Sequence, residues 1–230
     1  MKLTNEQIDR LYQFTRQHFV EWYDLQTELV DHLANAIEQQ WQEVPDRSFD
    51  EALQIEFKKF GVFGFMDVVE QRQMALGKKY NKLVWKHFKE FFRLPQIIGT
   101  ISAMVILYWI LKLSLYSEVI FLGLCVLLLV LFFYEVVSNI RKMKQKTKET
   151  GKKWLFKEII GNYGQGSGFF YLPFQTIFHF RNFLEHDYLL VIASFSVIVM
   201  ALLQYVIWVI IPNKAEEYLK EAYPEYEFVK

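Results

Sequence analysis

A single cysteine, Cys125, occurs in the 230 residues, and it lies inside an apolar run. No intramolecular disulfide is possible, and paired-cysteine zinc motifs are excluded with it. Net charge is missing as well, because 26 Lys/Arg balance 26 Asp/Glu. No apolar leader follows Met1-Lys2-Leu3-Thr4-Asn5-Glu6, so the sequence predicts no cleavable signal peptide and a first domain that stays in the cytoplasm. Catalytic signatures are absent too: there is no Ser-His-Asp spacing and no zincin motif. The stretch Gly161-Asn162-Tyr163-Gly164-Gln165-Gly166-Ser167-Gly168 is glycine-rich, but it lacks the Lys-Ser/Thr ending and the preceding strand that a phosphate loop needs. The expectation is a protein that is not an enzyme and uses no cofactor.

What is present is apolar and segregated. Hydrophobic residues make up 53% of the chain and aromatic residues 18%, above the usual apolar share of about 45 to 50% in soluble domains. Residues 1–77 hold seven Lys/Arg against fourteen Asp/Glu, a net of −7. Residues 78–93 hold six positive charges against Glu90, and residues 141–158 hold eight against Glu149 and Glu158. An acidic head followed by two basic patches beside apolar runs is a membrane pattern, and the −7 would repel nucleic-acid phosphates.

Periodicity predicts an all-α chain, with a soluble domain of three to four helices ahead of a transmembrane bundle of three to four spans. Thr4 with Gln7 reads as a capping box for a helix from about residue 5. Leu25, Leu29, Leu33, Ile37 and Trp41 stripe a second helix over about 24–42. Ser48 with Glu51 caps a third over about 49–60, and Gly61 suits the left-handed residue after it. A long fourth helix starts near Phe65 and ends before Pro95. The domain boundaries expected are 1–77 for the acidic domain, 78–95 for a basic amphipathic juxtamembrane helix, 96–212 for the membrane region and 213–230 for a polar tail.

Within the membrane region, spans are expected at about 96–116, 119–140 and 188–211, each close to the roughly 20 apolar residues that cross a bilayer. Residues 169–184 are apolar and aromatic but contain Pro173, Gln175, His179, Arg181 and Asn182. They either cross as a third helix or lie along the interface, which leaves three or four spans and both sides open for the C-terminus. The two basic patches put the helix 78–93 and a loop over 141–158 on the cytoplasmic side of an inner (plasma) membrane.

The first domain resembles the helical signalling or prefix domain called HAAS, found ahead of transmembrane segments in many bacterial membrane proteins. The residues that carry the likeness are Tyr23, Glu28-Leu29-Val30-Asp31-His32-Leu33, Ile37-Glu38, and Ser48-Phe49-Asp50-Glu51-Ala52-Leu53 leading to Phe60-Gly61. The likeness covers residues 5–75. It departs after the glycine, where Val62-Phe63-Gly64-Phe65 stands in place of the frequent Asp-Pro. It implies a cytoplasmic regulatory or interaction module and no enzymatic activity.

Three groups of residues are candidates for function. Lys78, Lys82, Lys86, Lys89 and Arg93 recur at helical steps beside Trp85, Phe88 and Phe92, a pattern suited to anionic lipid headgroups. Glu28, Asp31, His32 and Glu51 are candidates for docking an unknown protein partner. Glu28 and His32 share a helix face as two metal ligands would, with Asp31 beside them and His18 or Glu21 as a further donor, although the bland reading is helix-packing contacts. Arg181, Glu185, His186 and Asp187 cluster at an expected membrane boundary, where ionisable groups are ordinary. The function expected is signalling or partner docking, with a homo-oligomer possible. A small transporter or permease accessory subunit is the alternative, and a lipid-active enzyme near 179–187 a weaker third.

Overall fold

The computed structural model describes residues 2–162 and 186–223, and all regular structure among the described residues is helical. Nine helices are used below: α1 Asn5–Gln17, α2 Tyr23–Glu43, α3 Phe49–Lys58, α4 Met66–Glu90, α5 Gln96–Leu113, α6 Ser117–Thr150, α7 Leu155–Asn162, α8 Asp187–Tyr205 and α9 Ala215–Ala222. Between α8 and α9 the helix passes through a π turn at Val206–Ile210 and a short piece at Ile211–Asn213. The expected segment 169–184, with Arg181 and Glu185, lies outside the described residues.

Two compact units divide the chain. The first holds Met1–Lys78, Lys146–Ile159 and Leu219–Lys230, and the second holds Lys79–Gln145 and Ile160–Tyr218. The first unit thus contains two segments that composition alone assigns to a basic loop and a polar tail. As the periodicity predicts, α4 runs unbroken from Met66 to Glu90, past residue 77.

The first unit is built from amphipathic stripes. Thr4 and Gln7 form the capping box on α1, and Ser48 accepts from the Glu51 N–H at the start of α3. Leu11, Leu25, Leu29, Leu33, Ile37, Ala52, Leu53 and Phe65 close the core at 5% exposure or less. Aromatic rings fill one end: Phe14, His18, Phe57, Phe60 and Phe65 meet edge-on or tilted at centroid distances of 4.1 to 6.1 Å. Gly64 makes this possible. It takes φ +55°, and a Cβ there would stand 2.9 Å from the Phe57 ring.

A buried polar network ties α2 to α3. Glu56 is 4% exposed and accepts from Gln40 Nε2 and from Lys59 Nζ at 2.7 Å. Gln40 in turn donates to the Ala52 carbonyl at 3.3 Å and accepts from Arg47 at 2.8 Å. A carboxylate this deep is tolerated because each of its partners is in place.

In the second unit, α5, α6 and α8–Asn213 are long and apolar enough to cross a membrane, by length and composition; they are the three such helices among the described residues. α5 and α8 run antiparallel. Leu107 and Leu111 pack with Leu190, Ala193 and Val197, joined by Phe121 and Cys125 of α6. Lys112 Nζ meets Asp187 at 2.9 Å at one end of the pair. At the other end the rings of Phe91 and Tyr205 lie 6.2 Å apart. Gln204 reaches the Leu128 carbonyl of α6 at 3.3 Å. The outward side chains are large and apolar, among them Ile106, Trp109, Val130, Phe133 and Phe195. Hydrophobic surface of this extent suits lipid rather than water.

The basic stretch after the second span, expected as a loop, continues the helix as far as Thr150. Lys, Gln, Arg and Glu are good helix formers, so high charge does not by itself end a helix. Gly151, at φ +64°, does.

Candidate functional site

α2 starts without a capping side chain of its own. Its N-cap, Trp22, makes no side-chain hydrogen bond to the first turn, which leaves backbone donors to be satisfied from elsewhere. The Tyr23 N–H donates to the Lys153 carbonyl at 2.7 Å. Asp24 returns the favour: its Oδ1 accepts the Leu155 N–H at 3.1 Å, the first donor of α7. Two helix N-termini from distant parts of the sequence therefore cap each other.

Side chains close around this exchange. Trp22 Nε1 donates to Glu158 at 2.6 Å, and Lys153 Nζ donates to Glu21 at 2.6 Å. The Lys152 ammonium sits 4.1 Å over the Tyr23 ring, and Trp154 lies between Tyr23 and Tyr223 at 5.5 and 5.6 Å. Leu155 and Phe156 are fully buried. The junction thus collects α2, the segment after α6 and the end of α9, all within the first unit.

Burial dominates its electrostatics. It raises the Asp24 carboxyl above the ordinary carboxylate range, with the nearby Tyr223 hydroxyl and the bond from the Leu155 N–H only partly opposing it. Burial first, and the neighbouring Asp24 charge second, push the Tyr223 phenol up as well. The Tyr223 hydroxyl lies near Asp24 and Arg72 without completing a well-aligned hydrogen bond. At the open edge the Glu21 carboxylate holds the Lys153 ammonium above its usual value.

One prediction follows from the sign of the Asp24 shift. A carboxyl whose pKa is raised on folding contributes stability at pH below its unfolded value, and that contribution is lost as pH rises through the folded one. Asp24→Asn keeps an acceptor for the Leu155 N–H and removes the buried charge. The variant should therefore be more stable than the parent at pH 7, with the gap closing as pH falls towards 4. Thermal unfolding at both pH values checks this, and an Asn variant that is less stable at pH 7 would contradict it.

The residues singled out from sequence are distributed rather than gathered. Lys78, Lys82, Lys86 and Lys89 are exposed along α4, and Arg93 is exposed just past its end. Trp85 and Phe92 are exposed with them, whereas Phe88 is buried. Glu28 pairs with Arg72 of α4 at 3.5 Å. Asp31 is exposed, and His32 turns its ring to Phe60 at 6.0 Å. Glu51 is exposed in the first turn of α3. His18 bonds the Phe14 carbonyl at 2.8 Å. Among the described residues no three His, Cys, Asp or Glu side chains stand close enough to share a metal ion.

Sequence reasoning missed the junction residues Trp22, Asp24, Lys153 and Tyr223. It also missed a buried pair in the second unit, where His87 Nε2 lies 2.6 Å from the Tyr218 hydroxyl and Nδ1 lies 3.2 Å from Glu90. An Asp in the first turn of a helix reads as a local dipole partner, and nothing in its spacing announces a second helix 131 residues away. No family model, curated protein or solved structure matches the chain. Among the described residues the geometry defines an all-helical protein whose three long apolar helices are compatible with a membrane protein.

Proposed function

We propose that this is a non-enzymatic protein of the inner membrane, whose N-terminal helical unit lies in the cytoplasm, docks a protein partner and reports the state of the bundle. The observation that carries this reading is the junction. The segments that follow α6 and α9 are built into the N-terminal unit through Lys153, Leu155 and Tyr223, so a shift in either alters the start of α2. The HAAS-type likeness of residues 5–75 points the same way, towards a cytoplasmic module joined to a membrane part. The exposed lysines of α4 would rest on anionic headgroups. Against transport, polar side chains in the bundle close onto backbone carbonyls: Ser194 on Leu190 and Thr100 on Phe91.

The same geometry favours one topology. Tyr223 belongs to the unit that contains the N-terminus, and α8 begins beside Lys112, at the end of α5 remote from Gln96. We take both termini to share the cytoplasmic side, the four-span alternative of the sequence. A topology reporter fused after Lys230 should read cytoplasmic, and a cysteine placed at Asp187 should react with an impermeant maleimide added outside intact cells. A reporter that reads outside would sink both the topology and the role given to Tyr223.

A further inference from the structure

α1 ends in a turn whose left-handed position is occupied by Phe19, at φ +67°. The Val20 N–H bonds the Thr15 carbonyl and the Phe19 N–H bonds the Arg16 carbonyl, the two bonds of a Schellman ending. Glycine is the residue that such an ending favours; a phenylalanine there is strained. The strain brings no packing in return, because Phe19 is 74% exposed. Beside it, Phe63 is 70% and Met66 50% exposed.

These side chains line an open groove of about 820 Å³ together with Trp22 and the carboxylates of Asp67 and Glu70. Anionic headgroups would be repelled by those carboxylates and by the −7 of residues 1–77. A helix with apolar side chains and flanking Lys or Arg matches both the apolar and the acidic residues of this lining. We propose that this groove docks the apolar face of a basic amphipathic helix from a partner protein, with Phe19 held in its strained conformation as an anchor.

The inference deepens the docking reading above and rests on it. Trp22 supplies the connection: it lines the groove and donates to Glu158 in the junction. An occupant therefore presses on a side chain that is bonded to α7.

The test uses the full chain in zwitterionic nanodiscs and two designed 18-residue helices, one of Leu and Lys and one of Leu and Glu. The Leu/Lys peptide should bind at least tenfold more tightly than its Leu/Glu twin. Phe19→Gly and the double variant Phe63→Ser/Met66→Ser should each weaken Leu/Lys binding at least tenfold. Phe19→Gly should also raise Tm by about 2–4 °C, which separates a lost anchor from a damaged fold. Equal binding by the parent and the groove variants overturns the proposal. So does a groove-dependent dimer, which would make the occupant a second copy, or groove-dependent capture of anionic vesicles, which would make it lipid. The topology reporter does not involve the groove, so a failed groove and a failed topology are told apart.

Discussion

Reversing Lys78, Lys82, Lys86 and Lys89 to glutamate should lower the partition of a residue 78–93 peptide onto phosphatidylglycerol vesicles by at least about a thousandfold. Each lysine near an anionic surface contributes about 1 kcal/mol. Losing four such attractions removes roughly 4 kcal/mol, or nearly three decades of affinity, and the new repulsions deepen the loss. The four side chains are exposed along one helix, free to meet headgroups. Trp85, exposed among them, is the one tryptophan between residues 78 and 93, so its emission reports insertion directly. Partition onto neutral vesicles should change little, and the difference should shrink as salt rises. A charge-reversed peptide that still binds anionic vesicles like the parent would remove the lipid contact from the functional reading.

The second large effect concerns the fold that presents these surfaces. Gln40→Leu deletes the amide that holds buried Glu56 and spans to Ala52 and Arg47. Glu56 then keeps only Lys59, and a buried acceptor that loses a partner costs about 1–3 kcal/mol, more when it is charged. That is a large part of the 5–15 kcal/mol typical of a domain. Pulse proteolysis in urea should show the N-terminal unit opening at much lower denaturant. The double variant Gln40→Leu/Glu56→Leu should recover much of the loss, since the buried carboxylate goes with its amide while Arg47 and Lys59 can turn to water. If the double variant is no better than the single one, the network is not what stabilises the α2–α3 contact.

How much of this was readable beforehand depends on how local the cause is. The capping signals at Thr4 and Ser48, the stripe from Leu25 to Trp41 and the apolar runs of α5, α6 and α8 are all short-range patterns, and each lies where its periodicity puts it. Phe88 already departs from the pattern: it shares its spacing with Trp85 and Phe92 yet is buried, because burial depends on a neighbour that spacing does not identify. The junction is further from reach. Asp24 and Leu155 are 131 residues apart, and their meeting is a tertiary fact with no sequence period. Charge was informative but ambiguous there. The basic run 141–158 reads as an orientation signal, while Lys152 and Lys153 also serve as direct partners for Tyr23 and Glu21. Phe19 is a different kind of miss, a residue whose identity contradicts its backbone, so that no propensity argument would put it there.

The π turn at Val206–Ile210 has a consequence of the same kind. The Ile211 N–H reaches back five residues to the Val206 carbonyl, and both side chains are fully buried. In an α-helix five residues turn the chain through about 140° beyond one revolution, which would set the two on different sides. Here one surplus residue is taken up within a single turn, and Val206 and Ile211 stack on the same face. Shortening the chain by one residue inside 206–210 would convert the turn to ordinary α-helix and leave the flanking faces in phase. A length change can be absorbed here, so a chain related by descent could differ by a deletion at this turn and still present Tyr218 to His87.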